Sequence, residues 1–183
     1  MEELSDNYLM RQVQNGDFNK LGLLYERHHR ALFAYFYRCT SDKGKSEDLV
    51  HNLFMRLLKY RNGFTGRGQF SYWMFATARN LWIDEYRRKD PIGQGRTLAQ
   101  IPETEDTAPN AYHHLEQSER HERLRKALDQ LTPEKKEAIV LSRFNGLKYA
   151  EIAEIAQCTE NAIKSRIQRG LIELKDILIN SES

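Results

Sequence analysis

Apolar residues recur every three to four positions along most of this chain, and no strict polar–apolar alternation lasts long enough to build a sheet. The first stripe covers residues 5–15 and stops at Gly16, which predicts a short helix. A longer helix is predicted over 18–39, with Leu21, Leu24, Tyr25, His28, Leu32, Tyr35, Phe36 and Cys39 on one side. Residues 41–45, with Gly44 among them, break it. Ser46 then stands where a hydroxyl would cap a third helix, with Glu47 and Asp48 well placed against the dipole of its first turn. That helix carries a doublet every four residues: Leu49-Val50, Leu53-Phe54 and Leu57-Leu58. The stripe is wider than a small domain needs, so either one edge faces a partner or the helix is central and wholly buried. Gly63, Gly66 and Gly68 interrupt the pattern before a fourth helix over 70–88.

The pattern lapses over 90–114, where Pro91, Gly93, Gly95, Pro102 and Pro109 mix with Thr, Glu and Asp. A stretch so poor in apolar residues is expected to be a flexible linker. Periodicity resumes with Leu124, Leu128 and Leu131. Thr132-Pro133-Glu134 then marks a helix start, with a capping hydroxyl, a proline at the first helical position and an acid behind it. Its helix carries Ile139, Val140 and Phe144 and stops at Asn145-Gly146. A short helix over 149–155 follows, then a turn at Ala156-Gln157-Cys158. The last helix is capped by Thr159 and keeps Ile163, Ile167, Leu171, Leu174 and Leu178 inward. The expected fold is all-α: one helical domain over 1–89, the linker 90–114, and a second helical domain over 115–183.

Composition supports that division. Of 183 residues, 40% are apolar and 30% charged, which suits two small units with much surface better than one large core. A net charge of +2 excludes a histone-like polycation, but the charge is unevenly placed. Tyr86-Arg87-Arg88-Lys89 closes the first domain in a basic cluster, whereas Glu103, Glu105, Asp106, Glu116, Glu119 and Glu122 make residues 101–122 acidic. The first suits a polyanion and the second avoids one. Cys39 and Cys158 fit neither a disulfide framework nor a CxxC motif and are expected to pack as ordinary side chains. Residues 1–6 are polar and acidic, so no signal peptide is expected. No apolar run approaches the roughly 20 residues that cross a bilayer, and a cytoplasmic protein without membrane insertion is expected.

The chemistry-bearing pattern lies at 149–174. Two helices around a three-residue turn make a helix-turn-helix. The outward side of its second helix shows Asn161, Lys164, Ser165, Gln168 and Arg169, with Arg166 close by. Such side chains hydrogen-bond base edges and phosphates, and the N-terminal half of such a helix enters the major groove. An ordinary solvated bundle helix would carry similar charge. The helix over 70–88 has Phe70, Trp73, Met74, Thr77 and Leu81 as a core stripe, yet Tyr72, Phe75, Ile83 and Tyr86 lie opposite, around Arg79. Aromatics beside arginine suit stacked, unpaired bases, unless this helix is buried on both sides. Enzyme readings find no support. Gly66-x-Gly68 lacks a third glycine and a preceding strand, His28-His29 and His113-His114 lack metal-ligand spacing, and the acids form no cluster. No catalytic residue, metal or cofactor is expected. An operator-binding repressor would explain the helix-turn-helix but not the first domain.

The segments Glu47-Asp48-Leu49-Val50-His51-Asn52-Leu53-Phe54, Phe70-Ser71-Tyr72-Trp73-Met74 and Ala78-Arg79-Asn80-Leu81-Trp82-Ile83-Asp84 resemble region 2 of the extracytoplasmic-function (ECF) sigma factors. Leu131-Thr132-Pro133-Glu134, Tyr149-Ala150-Glu151-Ile152-Ala153 and Ile163-Lys164-Ser165-Arg166 resemble region 4 of the same family. Order and spacing agree over roughly 18–178, and all motifs in register are far more specific than any one of them.

The resemblance implies a factor that binds core RNA polymerase and directs it to promoters. Asp48, Leu49, Asn52, Leu53 and Phe54 would dock on the coiled coil of the largest polymerase subunit, and the polymerase flap would be a further contact. The loop 62–69, with Asn62, Phe64 and Arg67, would hold a base flipped from the −10 element, its glycines letting the backbone close around it. Arg79, Asn80, Asp84, Arg87 and Arg88 would line the −10 face. Thr159, Glu160, Asn161, Lys164, Ser165, Arg166 and Arg169 would read the −35 element. The linker would thread toward the RNA exit path, and an anti-sigma factor would be a further partner. Two residues depart from the family pattern. Lys148 stands where an acceptor side chain usually caps the first helix of the motif. Gln157 stands where the turn often has glycine, at a cost of roughly 1 kcal/mol if its φ is positive.

Overall fold

The computed structural model describes residues 4–89 and 113–181, and the regular structure among them is entirely helical. Eight α-helices follow one another: α1 (Asp6–Gln14), α2 (Asn19–Thr40), α3 (Lys43–Lys59), α4 (Phe70–Lys89), α5 (His113–Asp129), α6 (Pro133–Ile139), α7 (Tyr149–Ile155) and α8 (Glu160–Asn180). A 3-10 turn spans Arg61–Gly63, and a π-helical turn, Val140–Phe144, extends α6. The linker expected over 90–114 lies almost wholly outside the described residues.

Helix starts follow local chemistry, with two corrections. The Ser5 hydroxyl accepts from the Tyr8 N–H and caps α1, which therefore begins at Asp6. Helix α3 begins four residues earlier than a Ser46 cap would set it. Ser41 takes a left-handed conformation (φ 55°) that ends α2 at once, and the Asp42 carboxylate accepts from the Lys45 N–H at 3.0 Å. Ser46 is therefore a buried core-side residue, donating to the Asp42 carbonyl at 2.6 Å and bonded to the Thr40 hydroxyl. Thr132 precedes α6 as expected, but its hydroxyl makes no capping bond; only its carbonyl is used, by the Lys136 N–H.

Helices α1–α4 form an antiparallel-like bundle around Leu9, Leu24, Leu32, Phe36, Leu53, Leu57, Phe70 and Met74, all essentially solvent-free. Helices α6–α8 gather around Ile139, Val140, Ile152, Ile163 and Ile167, and α5 adds a satellite cluster of Ala127, Leu128, Leu131 and Leu174. At Gly170 α8 passes so close to α6 that a Cβ would lie 2.8 Å from Ile139 Cδ1. The two helical groups also pack on each other through one continuous apolar core. Phe144 lies under the Arg38 guanidinium at 4.1 Å, the Ser41 hydroxyl donates to Asp129 at 2.6 Å, and the Lys136 ammonium reaches the Cys39 carbonyl at 3.4 Å.

Candidate nucleic-acid interface

The helix-turn-helix is built as its sequence predicts. Glu151 reaches back to accept from the Lys148 N–H at 2.7 Å, which is the one half of a capping box available at the start of α7, since the lysine side chain cannot accept from the Glu151 N–H. Gln157 sits at φ 52°, so the turn does place a non-glycine residue in the left-handed region. The Thr159 hydroxyl accepts from the Ala162 N–H at 3.1 Å and starts α8. Ile163 and Ile167 then point into the core, and the 3.6-residue period turns Glu160, Asn161, Lys164, Gln168 and Arg169 outward to solvent. Lys164 is 3.4 Å from Glu160, an exposed pair that breaks at little cost. Ser165 is half-buried. Arg166 is half-buried too and turns back to the Cys158 thiol at 3.6 Å, so it braces the turn rather than facing outward.

The α4 surface differs from the expected open face. Phe75 is buried along with Met74 and Ala78, and Tyr72, Ile83 and Tyr86 are half-covered. Helix α4 is packed on both sides, the second side against α7. Burial, followed by a hydrogen bond to the Glu154 carboxylate, pushes the Tyr72 hydroxyl above its usual pKa. Arg79 is only 18% exposed and its Nε lies 2.8 Å from Glu137 Oε1, close enough for an ion pair but not aligned for a hydrogen bond. Burial pushes the Glu137 carboxyl up, and the attraction of Arg79 offsets only part of that. Asn80, Asp84, Arg87 and Arg88 remain exposed on the outer side of α4, with Asp84 3.4 Å from Arg56 and Arg88 3.4 Å from Glu85.

In the 62–69 loop, Asn62 and Arg67 are exposed but Phe64 is not. Its ring packs against Trp73 (centroids 5.4 Å apart) and Phe70 (6.1 Å), so it anchors the loop instead of offering a face to a base. A cleft of about 480 Å³ opens beside the loop, between residues 66–71 and the start of α1. On α3 the correction is larger. Leu49, Leu53 and Phe54 are core residues, Leu53 entirely so. The open side of the helix instead carries Asp48, His51, Asn52 and Met55. Met55, which the doublet pattern did not single out, belongs to this face by the same i, i+3, i+4, i+7 spacing that buries its neighbours.

Helical bundles, a helix-turn-helix with an exposed polar recognition face, and a second basic-ended helix define a DNA-reading protein of two helical parts. Comparison with known proteins gives the class its family. Residues 24–92 match Sigma-70 region 2 and residues 121–174 match Sigma-70, region 4. The ECF RNA polymerase sigma factor SigX of Bacillus subtilis is 30% identical over 157 residues, which cover 84% of this chain and 80% of that protein. The fold resembles that of CnrH in its complex with the cytosolic domain of CnrY (TM-score 0.74, 21% identity, 97% of this chain and 99% of that one). It also resembles the sigma factor RpoE of Bartonella quintana in complex with the anti-sigma factor NepR (TM-score 0.70, 26% identity, 86% and 95%).

The chain belongs to the ECF RNA polymerase sigma factors. It is accordingly a non-enzymatic factor whose partners are core RNA polymerase and promoter DNA, and it directs the one to the other. No helix among the described residues is long and apolar enough to cross a membrane.

Proposed function

We propose that residues 1–89 bind polymerase and open the −10 element, that 115–183 read the −35 element in duplex form, and that 90–114 join them along the RNA exit path, in the cytoplasm. The observation that carries this reading is the α8 face: Thr159, Asn161, Lys164 and Arg169 stand exposed on a helix whose opposite side is locked into the core. A rigid helix holding polar side chains outward at its N-terminal half is what major-groove reading needs. Polymerase docking on the coiled coil falls to the exposed Asp48 and Asn52, with Met55 beside them, while Leu49, Leu53 and Phe54 set the position of the helix. Asn62 and Arg67 with the adjoining cleft would hold the flipped base. Asn80, Asp84, Arg87 and Arg88 would meet the −10 strand.

Arg79 joins that face only after it leaves Glu137, so its share of −10 reading requires α4 to separate from α6 and α7. Binding to core polymerase, coiled coil and flap together, would drive that separation. The Bartonella RpoE is seen in complex with the anti-sigma factor NepR, and an anti-sigma factor is proposed for this chain as well. Permanganate footprinting of holoenzyme on duplex promoters, and on templates carrying a premelted bubble, tests the division of labour. Substitution of Asn80 should reduce opening of the duplex while sparing closed-complex binding. Equal loss of closed-complex affinity for Asn80→Ala and Lys164→Ala would contradict it.

A further inference from the structure

Helix α1 precedes both segments that match the sigma-70 regions, yet it holds the 61–70 loop at each end. Asn7, Arg11 and Gln14 are spaced four and three residues apart and share one helix face. At the start of the loop, Gln14 Nε2 donates to the carbonyls of Arg61 at 2.8 Å and Phe64 at 2.7 Å. At its end, Asn7 Nδ2 donates to the Gly68 carbonyl at 2.9 Å while its Oδ1 accepts from the Phe70 N–H at 2.7 Å. One partner can only accept and the other only donate, so a single orientation of the Asn7 amide satisfies both. Between them the Arg11 guanidinium lies against Gly66, whose φ is +70° and where a Cβ would sit 2.8 Å from Arg11 Nη2. The helix is itself tied to α2, since Asp6 accepts from Arg27 at 2.8 Å and contacts His28 Nε2 at 2.7 Å. Ser5, Asp6 and Asn7 form one wall of the 480 Å³ cleft, and residues 66–71 form the other.

We propose that α1 is part of the −10 reader. Asn7 and Gln14 are positioning residues that hold the loop backbone in one conformation, so this helix sets how strictly the flipped base is discriminated. The proposal rests on the reading of the loop as the base holder. A loop ordered beforehand loses no further conformational freedom when the base enters, whereas a slack one does, and adapts to wrong bases as well.

The test uses holoenzyme assembled from the full chain and core polymerase, on a promoter that it opens and on templates with single −10 base changes. Open-complex formation is read by permanganate. Asn7→Ala and Gln14→Ala should lower discrimination about three- to tenfold at the one position that the loop holds, the loss expected for a hydrogen bond, and leave the other −10 positions and the −35 element unchanged. Asn7→Asp, which still accepts from Phe70 but cannot donate to Gly68, should fall in between. Asn62→Ala and Arg67→Ala supply the comparison. If these loop variants relax discrimination and the α1 variants do not, the proposal is overturned while the loop reading stands. If neither set does, the loop is not the base holder and both readings fall. Uniform loss at every promoter position, −35 included, would show that α1 only supports the fold, which also overturns the proposal.

Discussion

The thiol of Cys39 is buried on α2, and that burial pushes its pKa up to about 12. Since the thiolate is the reactive form, Cys39 should resist alkylating or disulfide reagents up to about pH 9 in the native protein, although a free exposed thiol would react freely there. Cys158 is half-exposed in the recognition turn and should react first. Reagent kinetics followed with and without denaturant check this, and equal native rates for the two thiols would contradict the burial described. Lys164 offers a residue-scale test of DNA reading. It is exposed and only loosely paired with Glu160, so Lys164→Ala should weaken closed complexes of holoenzyme. The loss is about 1–3 kcal/mol if Lys164 contacts a base, and a salt slope lower by about one if it contacts phosphate. Titrations at several salt concentrations separate the two. Arg166→Ala should instead lower thermal stability, because its guanidinium braces Cys158.

At the scale of elements, α3 gives the clearest prediction. Leu53 is wholly buried, so Leu53→Asp puts an unpaired charge into the core and should unfold the N-terminal bundle. Asn52→Ala and Met55→Asp lie on the open side and should keep the helical circular dichroism signal while weakening capture by core polymerase. Normal polymerase binding by both would remove the docking role from this face. In the recognition turn, Gln157→Gly should raise stability by about 1 kcal/mol, by relieving the φ of 52°, measured as a higher Tm. The elements themselves were legible in the sequence wherever local chemistry decides them: the Thr159 cap, the 3.6-residue stripes, and the turn at 156–158. The start of α3 was not, because Asp42 caps it only after Ser41 has adopted an unusual backbone. Nor was the true open edge of α3. Its doublets fit a docking edge and a central helix equally well, and burial by α2 and α4 decided between them.

For the whole molecule, the sequence carried the fold class but not how the two helical parts meet. The Arg79–Glu137 pair joins residues 58 positions apart that no periodicity connects. Removing one partner of a buried pair costs about 3–5 kcal/mol, so Glu137→Lys or Arg79→Glu should loosen the packing of α4 on α6 and enlarge the radius of gyration in solution scattering. The double charge swap should restore much of the compactness, and no expansion in either single variant would mean that the pair does not hold the halves together. With the halves packed, Arg79 faces Glu137 and not DNA, so the −10 face of α4 is incomplete in the chain alone. The most direct measurement is a mobility shift of one promoter fragment with the chain, with core polymerase, and with both together. The account predicts no specific complex with the chain alone and a specific, salt-sensitive complex with holoenzyme. Tight, sequence-specific binding by the chain without polymerase would contradict it.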